Sequence, residues 1–466
     1  MTSRTSSRCA LAALSCAAVL ALSGCGGGSD EGAASQAADA AEVANALAAS
    51  NPTVGLLTLV SASAAGKAAG GTSAPCGVSA DGVLVAFGDS AATLVGGDTN
   101  QSLDVFVKNT RTGAIARVST DSNGVQFAGG ADCLAITPDG NTVVFRTAGG
   151  GSSGLPAGET AIRVKNLTTG AVTTVNPPLA AFSTTSAYLF QSISDDGLRV
   201  ALIAAPTTLY LGGYETVANG PARALVRDLR SGELINLSAD VPLSLNQGYY
   251  DGRLLLSPDG SRLAFATSSN VPAAGDGNGK SDVFVLNIAT RAATLATADG
   301  AGAQAVVSGP PLYNPMQHLI GFLAGGKQLA FEMPADSTLG AAGAYVKDLV
   351  SGSARLVFAS GTRALPPLSI SDDGTQVAFD RPIYPPNAQQ IDAVWLRDLR
   401  TGQERRINTT ATGVQGNNNA WLARISRDGS TVTFQSNATN LVRGANISYI
   451  YEIYAKTVNA PAIGAQ

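Results

Sequence analysis

A four-residue pattern recurs along most of the chain and constrains its fold more than any other feature. Six copies have Ser or Thr, any residue, Asp and Gly, and Gly325-Gly326 stands where a seventh copy should fall. Three and five residues after each turn glycine comes an apolar pair, such as Val85 and Phe87. Because alternate residues of a strand share a face, each copy predicts a tight turn followed by a buried strand. The six copies begin at Ser79, Thr137, Ser194, Ser257, Ser371 and Ser426.

Two further strands belong to each repeat. An apolar strand such as Val105-Phe106-Val107 leads to a second glycine turn at Gly113, and Ile115 opens a fourth strand. Glycine is abundant at 53 of 466 residues, and only 14% of residues are charged, which suits short strands joined by turns. Four strands and no helix, repeated about every 58 residues over 52–459, predict an all-β, seven-bladed β-propeller of four-stranded blades. Seven copies of one unit disfavour a sandwich or a simple barrel.

The order of strands predicts how the ring closes. The seventh repeat ends after its third strand, at about Tyr449 to Ala455, and has no fourth strand of its own. The segment from Leu56 to Ser61 precedes the first repeat and matches the fourth-strand type. We therefore expect the N-terminal strand to complete the last blade, which would remove an open sheet edge.

The repeat resembles a known family, the TolB-like propellers with Asp-Gly repeats related to WD-type blades. The resemblance covers roughly residues 50–459 and rests on the Ser-x-Asp-Gly-x-x-Val-Ala-Phe core. It implies a fold but separates functions poorly. TolB itself carries an α/β domain before a six-bladed propeller, whereas seven repeats follow a short tether here, so the partners of TolB are not carried over.

The first residues resemble a bacterial lipoprotein signal. Arg4 and Arg8 precede an apolar run that is too short to span a bilayer, and Leu22-Ser23-Gly24 stands directly before Cys25. The resemblance implies that Cys25 carries lipid, and Gly26 favours the outer membrane, facing the periplasm, in a Gram-negative cell. An ordinary secretory leader is the alternative. The expected organisation is a signal peptide over 1–24, a Gly/Ala-rich tether over 25–50 and the propeller over 51–460.

Charge and histidine content exclude several function classes. The formal net charge is −4, and loss of Arg4 and Arg8 with the leader would leave 28 basic against 34 acidic residues. This balance argues against nucleic acid as a partner, since phosphate contacts need clustered Lys and Arg. His318 is the single histidine, so a zinc site built on several histidines is excluded, and a hydrolytic triad would depend on that one residue.

Two loops carry the spacing D-x-N-x-x-x-D. Oxygen ligands at alternating positions suit a hard cation such as Ca²⁺, although three side chains are few. The alternative is a loop start rich in Asx turns. No other cofactor is expected. The candidate ligands are Asp98, Asn100 and Asp104 in the first repeat and Asp276, Asn278 and Asp282 in the fourth.

Cys76 and Cys133 are the cysteines of the propeller region. They precede the turn Asp of the first two repeats by five and six residues, which places them on the innermost strands of adjacent blades. An oxidising compartment would permit a disulfide. The one-residue offset leaves two buried free thiols as the alternative.

The long connections should emerge together at one end of the ring and carry its functional variation. That end would display a set of aromatic residues and the histidine as a recognition surface. The leading expectation is a lipid-anchored, monomeric, non-catalytic module that binds an envelope protein or a glycan. The alternative is a metal-dependent propeller enzyme, lactonase- or lyase-like, with its site at the channel mouth. The candidate partner-binding residues are Tyr249, Tyr250, Tyr313, His318 and Tyr384.

Overall fold

The chain folds as a ring of seven antiparallel sheets in the computed structural model. Each blade has four strands in the order of the sequence repeats, blade 3 has a fifth short strand, and the predicted seven-bladed β-propeller is confirmed. The structure describes residues 57–71, 73–148, 160–176, 186–209, 215–217, 222–243, 245–246, 249–250, 253–267, 269–271, 274–277, 281–298, 319–333, 342–359, 368–383, 390–442 and 450–458.

The strands are numbered along the chain and assigned to blades from the innermost strand outward. The first strand, β1, covers Leu57–Leu59 and belongs to blade 7. Blade 1 has β2 Ser73–Val78, β3 Leu84–Asp89, β4 Asp104–Asn109 and β5 Ile115–Arg117. Blade 2 has β6 Ala131–Ile136, β7 Thr142–Ala148, β8 Thr160–Asn166 and β9 Val172–Thr174. Blade 3 has β10 Ser186–Ile193, β11 Arg199–Leu209, the short β12 Glu215–Val217 paired with β11, β13 Arg223–Asp228 and β14 Leu234–Asn236.

The remaining blades follow the same order. A two-stranded ladder of β15 Leu245–Asn246 and β16 Tyr249–Tyr250 precedes blade 4, which has β17 Leu255–Leu256, β18 Arg262–Thr267, β19 Asp282–Asn287 and β20 Ala293–Leu295. Blade 5 has β21 Leu319–Leu323, a 3-10 turn at Ala324–Gly326, β22 Gln328–Met333, β23 Gly343–Asp348 and β24 Ala354–Ala359. Blade 6 has β25 Leu368–Ile370, β26 Gln376–Ile383, β27 Ile391–Asp398 and β28 Glu404–Arg406. Blade 7 has β29 Ala420–Ile425, β30 Thr431–Ser436 and β31 Glu452–Thr457.

The N-terminal strand closes the ring, as the sequence predicts. β1 pairs antiparallel with β31, with Leu57 opposite Lys456 and Leu59 opposite Tyr454. The next residue, Val60, is fully buried and donates its N–H to the carbonyl of Ile453 at 2.8 Å. Blade 7 therefore joins both ends of the described chain, and β1 covers the edge that β31 would otherwise expose.

The Ser-x-Asp-Gly repeats are structural turns. Ser79 Oγ donates to Asp81 Oδ1 at 2.6 Å and accepts the N–H of Leu84 at 2.9 Å. Gly82 has φ 71°, the left-handed region that glycine adopts without strain. The same side-chain contact joins Ser257 to Asp259 at 2.6 Å. These aspartates are engaged in holding the turn, which explains their repetition without any catalytic role.

Basic side chains tie five of the blades to the blade before them. Lys108 Nζ donates to the carbonyls of Ala62 at 2.8 Å and Ser63 at 3.0 Å, beyond the fourth strand of the preceding blade. Lys456 makes the same kind of contact with Thr409 and Thr410. Burial lowers the pKa of Lys108 to about 8, and its carbonyl partners compensate part of that cost. Equivalent contacts run from Lys165 to Thr120, from Arg227 to Val175 and from Lys347 to Ala298.

A disulfide joins the innermost strands of blades 1 and 2. Cys76 and Cys133 are bonded, and their Cα atoms lie 5.7 Å apart. Each strand contains a β-bulge near its cysteine, between Pro75 and Gly77 in β2 and between Cys133 and Ala135 in β6. A bulge changes which face a side chain occupies, so the offset in sequence does not separate the two sulfur atoms.

In the described part of the chain, no helix is long and apolar enough to cross a membrane.

Candidate functional site

The seven innermost strands line a central channel that is closed at one end. We call the end formed by the Ser-x-Asp-Gly turns the turn end, and the opposite end the loop end. At the turn end, backbone hydrogen bonds link adjacent blades, for example Ala80 N–H to Pro138 O at 2.7 Å and Asp372 N–H to Arg427 O at 2.8 Å. A link is missing where Pro138 or Pro258 stands in the donor position, because proline has no N–H.

An ion pair reaches across the turn end. Arg427 of blade 7 donates through Nη2 to Asp195 Oδ1 of blade 3 at 2.7 Å, and a second contact joins the same two groups. Burial raises the pKa of Asp195, the charge of Arg427 opposes that shift, and Asp372 adds to it. This pair and the backbone links occupy the turn end, so a ligand would reach the channel from the loop end.

One position on the innermost strands distinguishes blade 7 from the rest. It lies two residues before the turn Ser or Thr; in blade 6 it is Ser369, whose Oγ accepts the N–H of Ile425 at 3.1 Å. In blade 7 this position holds Arg424. The other blades carry smaller, uncharged residues there: Gly77, Ala135, Ser192, Leu255, Gly321 and Ser369.

Arg424 belongs to β29, one of the seven innermost strands. The residue is exposed to solvent, yet burial by the surrounding protein lowers its pKa, and the charge of Asp380 opposes that shift. The small residues at the equivalent positions leave room for it.

A second arginine, Arg253 just before β17 of blade 4, lies close enough to Arg424 for the two charges to interact. Arg253 directly precedes Leu254, whose N–H is accepted by Gln191 Oε1 of blade 3 at 3.3 Å. Burial, with the charge of Arg424 as a second cause, lowers the pKa of Arg253 to about 10. Both guanidinium groups remain cationic at neutral pH. Because the two cations repel each other, an anion bound between them would be stabilised.

The strand that carries Arg424 is held by a carboxylate from blade 6. β29 has a bulge where Leu422 and Ala423 lie opposite Phe434 of β30, and Leu422 adopts φ 57°. Asp380 Oδ2 accepts the N–H of Leu422 at 2.8 Å, and Oδ1 accepts that of Ala423 at 3.2 Å. Burial raises the pKa of Asp380 to about 6, although both hydrogen bonds oppose the shift.

In the first D-x-N loop, the side-chain amide of Gln126 lies between the carboxylates of Asp98 and Asp104. Gln126 Nε2 donates to Asp98 Oδ1 at 2.9 Å and to Asp104 Oδ2 at 2.7 Å. Asn100 turns to the backbone, where its amide donates to Phe127 O at 2.9 Å. An N–H donor thus lies where a cation would lie. Calcium binding by this loop stays a prediction, and it would require Gln126 to move.

The last Asp of the motif has a structural partner that recurs in three blades. Asp282 Oδ1 accepts the hydroxyl of Thr297 at 2.5 Å, as Asp104 accepts that of Ser119 and Glu452 that of Ser61. Each acid opens the third strand of its blade, and each hydroxyl follows the fourth strand. Asp276 Oδ2 accepts the N–H of Val271 at 2.9 Å, and Asn278 lies outside the described residues. These contacts favour the interpretation as structured loop starts.

The aromatic surface expected at the loop end is placed only in part. Tyr249 and Tyr250 form β16, which pairs with β15, and the structure describes their backbone alone. Tyr313, His318 and Tyr384 lie outside the described residues. In the parts of the chain that are described, no three His, Cys, Asp or Glu side chains come together as a metal site.

Glu332 of β22 occupies the position in blade 5 that Asp380 occupies in blade 6, six residues after the turn glycine. It is 4% exposed, and burial raises its pKa to about 8. In an unfolded chain the carboxyl ionises near its ordinary value of 4.5. The folded state therefore loses stability as pH rises from about 4.5 through about 8.

We expect Glu332→Gln to stabilise the fold at high pH and leave it unchanged at pH 4. At pH 9 the gain should be on the order of 3 kcal/mol, because the cost of ionising a buried carboxyl is removed. Denaturant unfolding at both pH values measures it, with exposed Glu233→Gln as the control for charge. A variant less stable than the wild type at pH 9 would show that the buried carboxylate is favourably paired.

Comparison with known proteins identifies the fold but no family. No family model matches the chain, and no curated protein matches it. Among solved structures, the oligogalacturonate lyase of Vibrio parahaemolyticus is 12% identical, covers 88% of this chain and 92% of its own, and has a TM-score of 0.50. An oligogalacturonate lyase in complex with manganese is 13% identical, with 87% and 90% covered and a TM-score of 0.48. The β-propeller domain of the Trilobed protease from Pyrococcus furiosus is 9% identical, with 83% and 95% covered and a TM-score of 0.48.

The likeness to the Vibrio parahaemolyticus structure agrees with the β-propeller fold, and it changes the functional expectation. The sequence favours a non-catalytic binding or scaffold module as its first interpretation. The similar structure with a TM-score of 0.50 is instead an enzyme whose own chain is almost entirely covered. This finding overturns that first interpretation and favours the enzyme alternative.

Proposed function

We propose that this chain is a lyase-like propeller enzyme that acts on a carboxylate-bearing sugar in its central channel. The observation that carries the proposal is the pair of arginines, Arg253 just before β17 of blade 4 and Arg424 of blade 7, whose charges interact. The fold likeness to oligogalacturonate lyase makes a uronic-acid oligomer the first substrate to test. The closed turn end means that substrate and product would both pass through the loop end.

The chemistry of the pair fits a carboxylate. Guanidinium groups donate paired N–H bonds to carboxylate oxygens, and these charge-assisted bonds are stronger than neutral ones. Burial lowers the pKa of both arginines, and the charge of Arg424 lowers that of Arg253 further. A bound anion would remove the repulsion between the two cations, so binding energy is available at this place and not at a surface arginine.

An elimination reaction makes direct use of such a pair. In a uronic acid the carboxylate is attached to C5, and withdrawing its charge makes the C5–H bond more acidic. A general base takes that proton, the electron pair of the C5–H bond forms the C4=C5 double bond as the C4–O bond breaks, and the departing C4 oxygen takes up a proton, so that no proton is gained or lost overall. In this proposal Arg253 and Arg424 bind and neutralise the carboxylate.

The arginines also bear on where a metal ion could lie. Two guanidinium groups repel a metal cation, and the described residues provide no group of three His, Cys, Asp or Glu ligands. The positive charge beside the substrate carboxylate would therefore come from the arginines themselves, and a metal ion at the channel mouth, away from them, stays a prediction.

Trigalacturonate tests the proposal. Incubation with the purified protein should yield a product with a new C4=C5 double bond, visible by its ultraviolet absorbance and by mass spectrometry. Fully methyl-esterified trigalacturonate, which lacks the negative charge, should react far more slowly. Equal turnover of both substrates, or formation of saturated products only, would contradict the proposed role of the arginines.

The cellular location is a separate proposal from the sequence. We propose that residues 1–24 direct export, that Cys25 is lipidated, and that the propeller faces the periplasm from the outer membrane as a TolB-like lipoprotein. Such a location would expose the channel to sugars outside the cytoplasm.

Replacing the lipidated residue should block maturation. Cys25→Ser is expected to leave a larger, unprocessed precursor, because the lipoprotein peptidase requires a modified cysteine at the cleavage site. Gel mobility and labelling with a radioactive fatty acid measure the effect, and Cys16→Ser in the apolar run is the matched control. Normal processing of Cys25→Ser would leave an ordinary secretory leader as the explanation.

A further inference from the structure

Arg424 stands on a segment of β29 that differs from the innermost strands of the other blades. One extra residue interrupts each of β2, β6, β10 and β21, and β29 also has one extra residue, since Leu422 and Ala423 lie opposite the single residue Phe434. The difference lies in the backbone conformation of β29. Leu422 has φ 57°, a conformation that is uncommon for a residue with a large side chain and that needs support from its surroundings.

The support comes from one side chain of the neighbouring blade. The two carboxylate oxygens of Asp380 accept the N–H groups of Leu422 at 2.8 Å and Ala423 at 3.2 Å. Leu422 and Ala423 have no paired residue in β30, where Trp421 pairs with Gln435 and Arg424 pairs with Thr433. Both N–H groups thus depend on the Asp380 carboxylate for a partner within the sheet region.

We propose that Asp380 is a positioning residue, which fixes the bulge of β29 and thereby directs the Arg424 side chain into the channel. This inference rests on the proposed function for its biological meaning, although the link between Asp380 and the bulge can be tested alone. In this role the Asp380 carboxylate promotes anion binding by Arg424. A carboxylate that only competed with the anion for the guanidinium would weaken that binding.

The two roles predict opposite effects of Asp380→Asn. An amide retains one acceptor and loses the negative charge beside Arg424. If Asp380 merely competes with a bound anion, the variant should bind trigalacturonate more tightly. If it positions Arg424, affinity should fall roughly tenfold, since one N–H of the bulge loses its acceptor and the guanidinium loses its fixed place.

Calorimetric titration with trigalacturonate at pH 8 compares the wild type, Asp380→Asn and Glu332→Gln. The last is a matched control, because it makes the same change at the equivalent position of blade 5. We expect weaker binding for Asp380→Asn and unchanged binding for Glu332→Gln. Unchanged or tighter binding by Asp380→Asn would overturn the inference, whereas absence of binding by the wild type would overturn the proposed function.

A fluorescence measurement needs no ligand. Trp421 adjoins the bulge, and its ring lies 5.2 Å from that of Tyr451. Trp395→Phe removes the other tryptophan without the loss of a hydrogen bond, since the indole nitrogen of Trp395 has no partner. In that background Asp380→Asn should shift the Trp421 emission while Glu332→Gln leaves it unchanged. An identical spectrum in all three proteins would contradict a role for Asp380 in holding the bulge.

The wild type supplies an independent test if the variant does not fold. Asp392 and Arg424 are the charged groups that act on Asp380, the first raising and the second lowering its pKa, which lies at about 6. Trigalacturonate stays ionised well below that value. Affinity should therefore fall as pH is lowered from 8 to 5, with a midpoint near 6 that Glu332→Gln retains. Affinity that rises on acidification would overturn the inference.

Discussion

Arg424→Ala should weaken trigalacturonate binding by roughly 30-fold, because a charge-assisted hydrogen bond in a confined site contributes about 2 kcal/mol. The variant should fold normally, since the other blades carry small residues such as Gly77 and Ser369 at the equivalent position. Turnover of the bound substrate should fall as well, as the carboxylate would be neutralised by Arg253 alone. Calorimetry and the double-bond assay measure the two effects.

Two further variants separate geometry from charge. Arg424→Lys keeps the cation but loses the planar fork, so its affinity should lie between those of the wild type and Arg424→Ala. Arg230→Ala makes the same change in charge on an exposed turn between the third and fourth strands of blade 3, and it should bind as the wild type does. An Arg230 variant as weak as Arg424→Ala would show that net charge alone controls binding.

Deleting residues 52–62 should destabilise the propeller by at least about 4 kcal/mol, and lower its melting temperature by roughly 5 °C. The deletion removes β1 and the fully buried Val60. It also removes Ser61, which contacts Glu452, and the Ala62 carbonyl that accepts from Lys108 at 2.8 Å. β31 would then be an exposed sheet edge.

Deleting residues 27–50 provides the control. That segment precedes every described residue, so its removal leaves all contacts described above intact. Thermal unfolding of the two truncated proteins and the wild type, at several protein concentrations, also reveals association through the exposed edge of β31. Equal melting temperatures for both truncations would refute the role of β1 in closing the ring.

Much of the fold follows from local sequence patterns. The Asp-Gly turns, the alternating apolar residues after them and the fourth-strand likeness of Leu56 to Ser61 predict the blades and their closure. These signals are strong because each uses a backbone requirement, such as the φ of Gly82, that repeats with the blade. The predicted turn at Gly113 is likewise present, with φ 78°, and Arg291 adopts φ 61° where it replaces that glycine.

The channel site is less accessible to such reasoning, because it depends on departures from the repeat. Arg424 follows the bulge at Leu422 and Ala423. Asp380, on another blade, accepts the N–H groups of those two residues. Neither feature follows from strand periodicity. Alignment of the residues two before each turn Ser or Thr would have shown Arg424 as the one charged member. The basic residues that tie blades together, such as Lys108, could be found by the same alignment, since they lie one residue before the second turn of the repeat.

A crystal structure with D-galacturonate tests the central claim most directly. This monosaccharide carries the carboxylate but no sugar on its C4 oxygen, so it should bind without being cleaved. We predict its carboxylate in the channel, within hydrogen-bond distance of the Arg424 guanidinium, about 3 Å, and on the open side of the Arg427–Asp195 pair. Galacturonate bound outside the channel, or a channel that stays free of sugar at saturating concentration, would contradict the account.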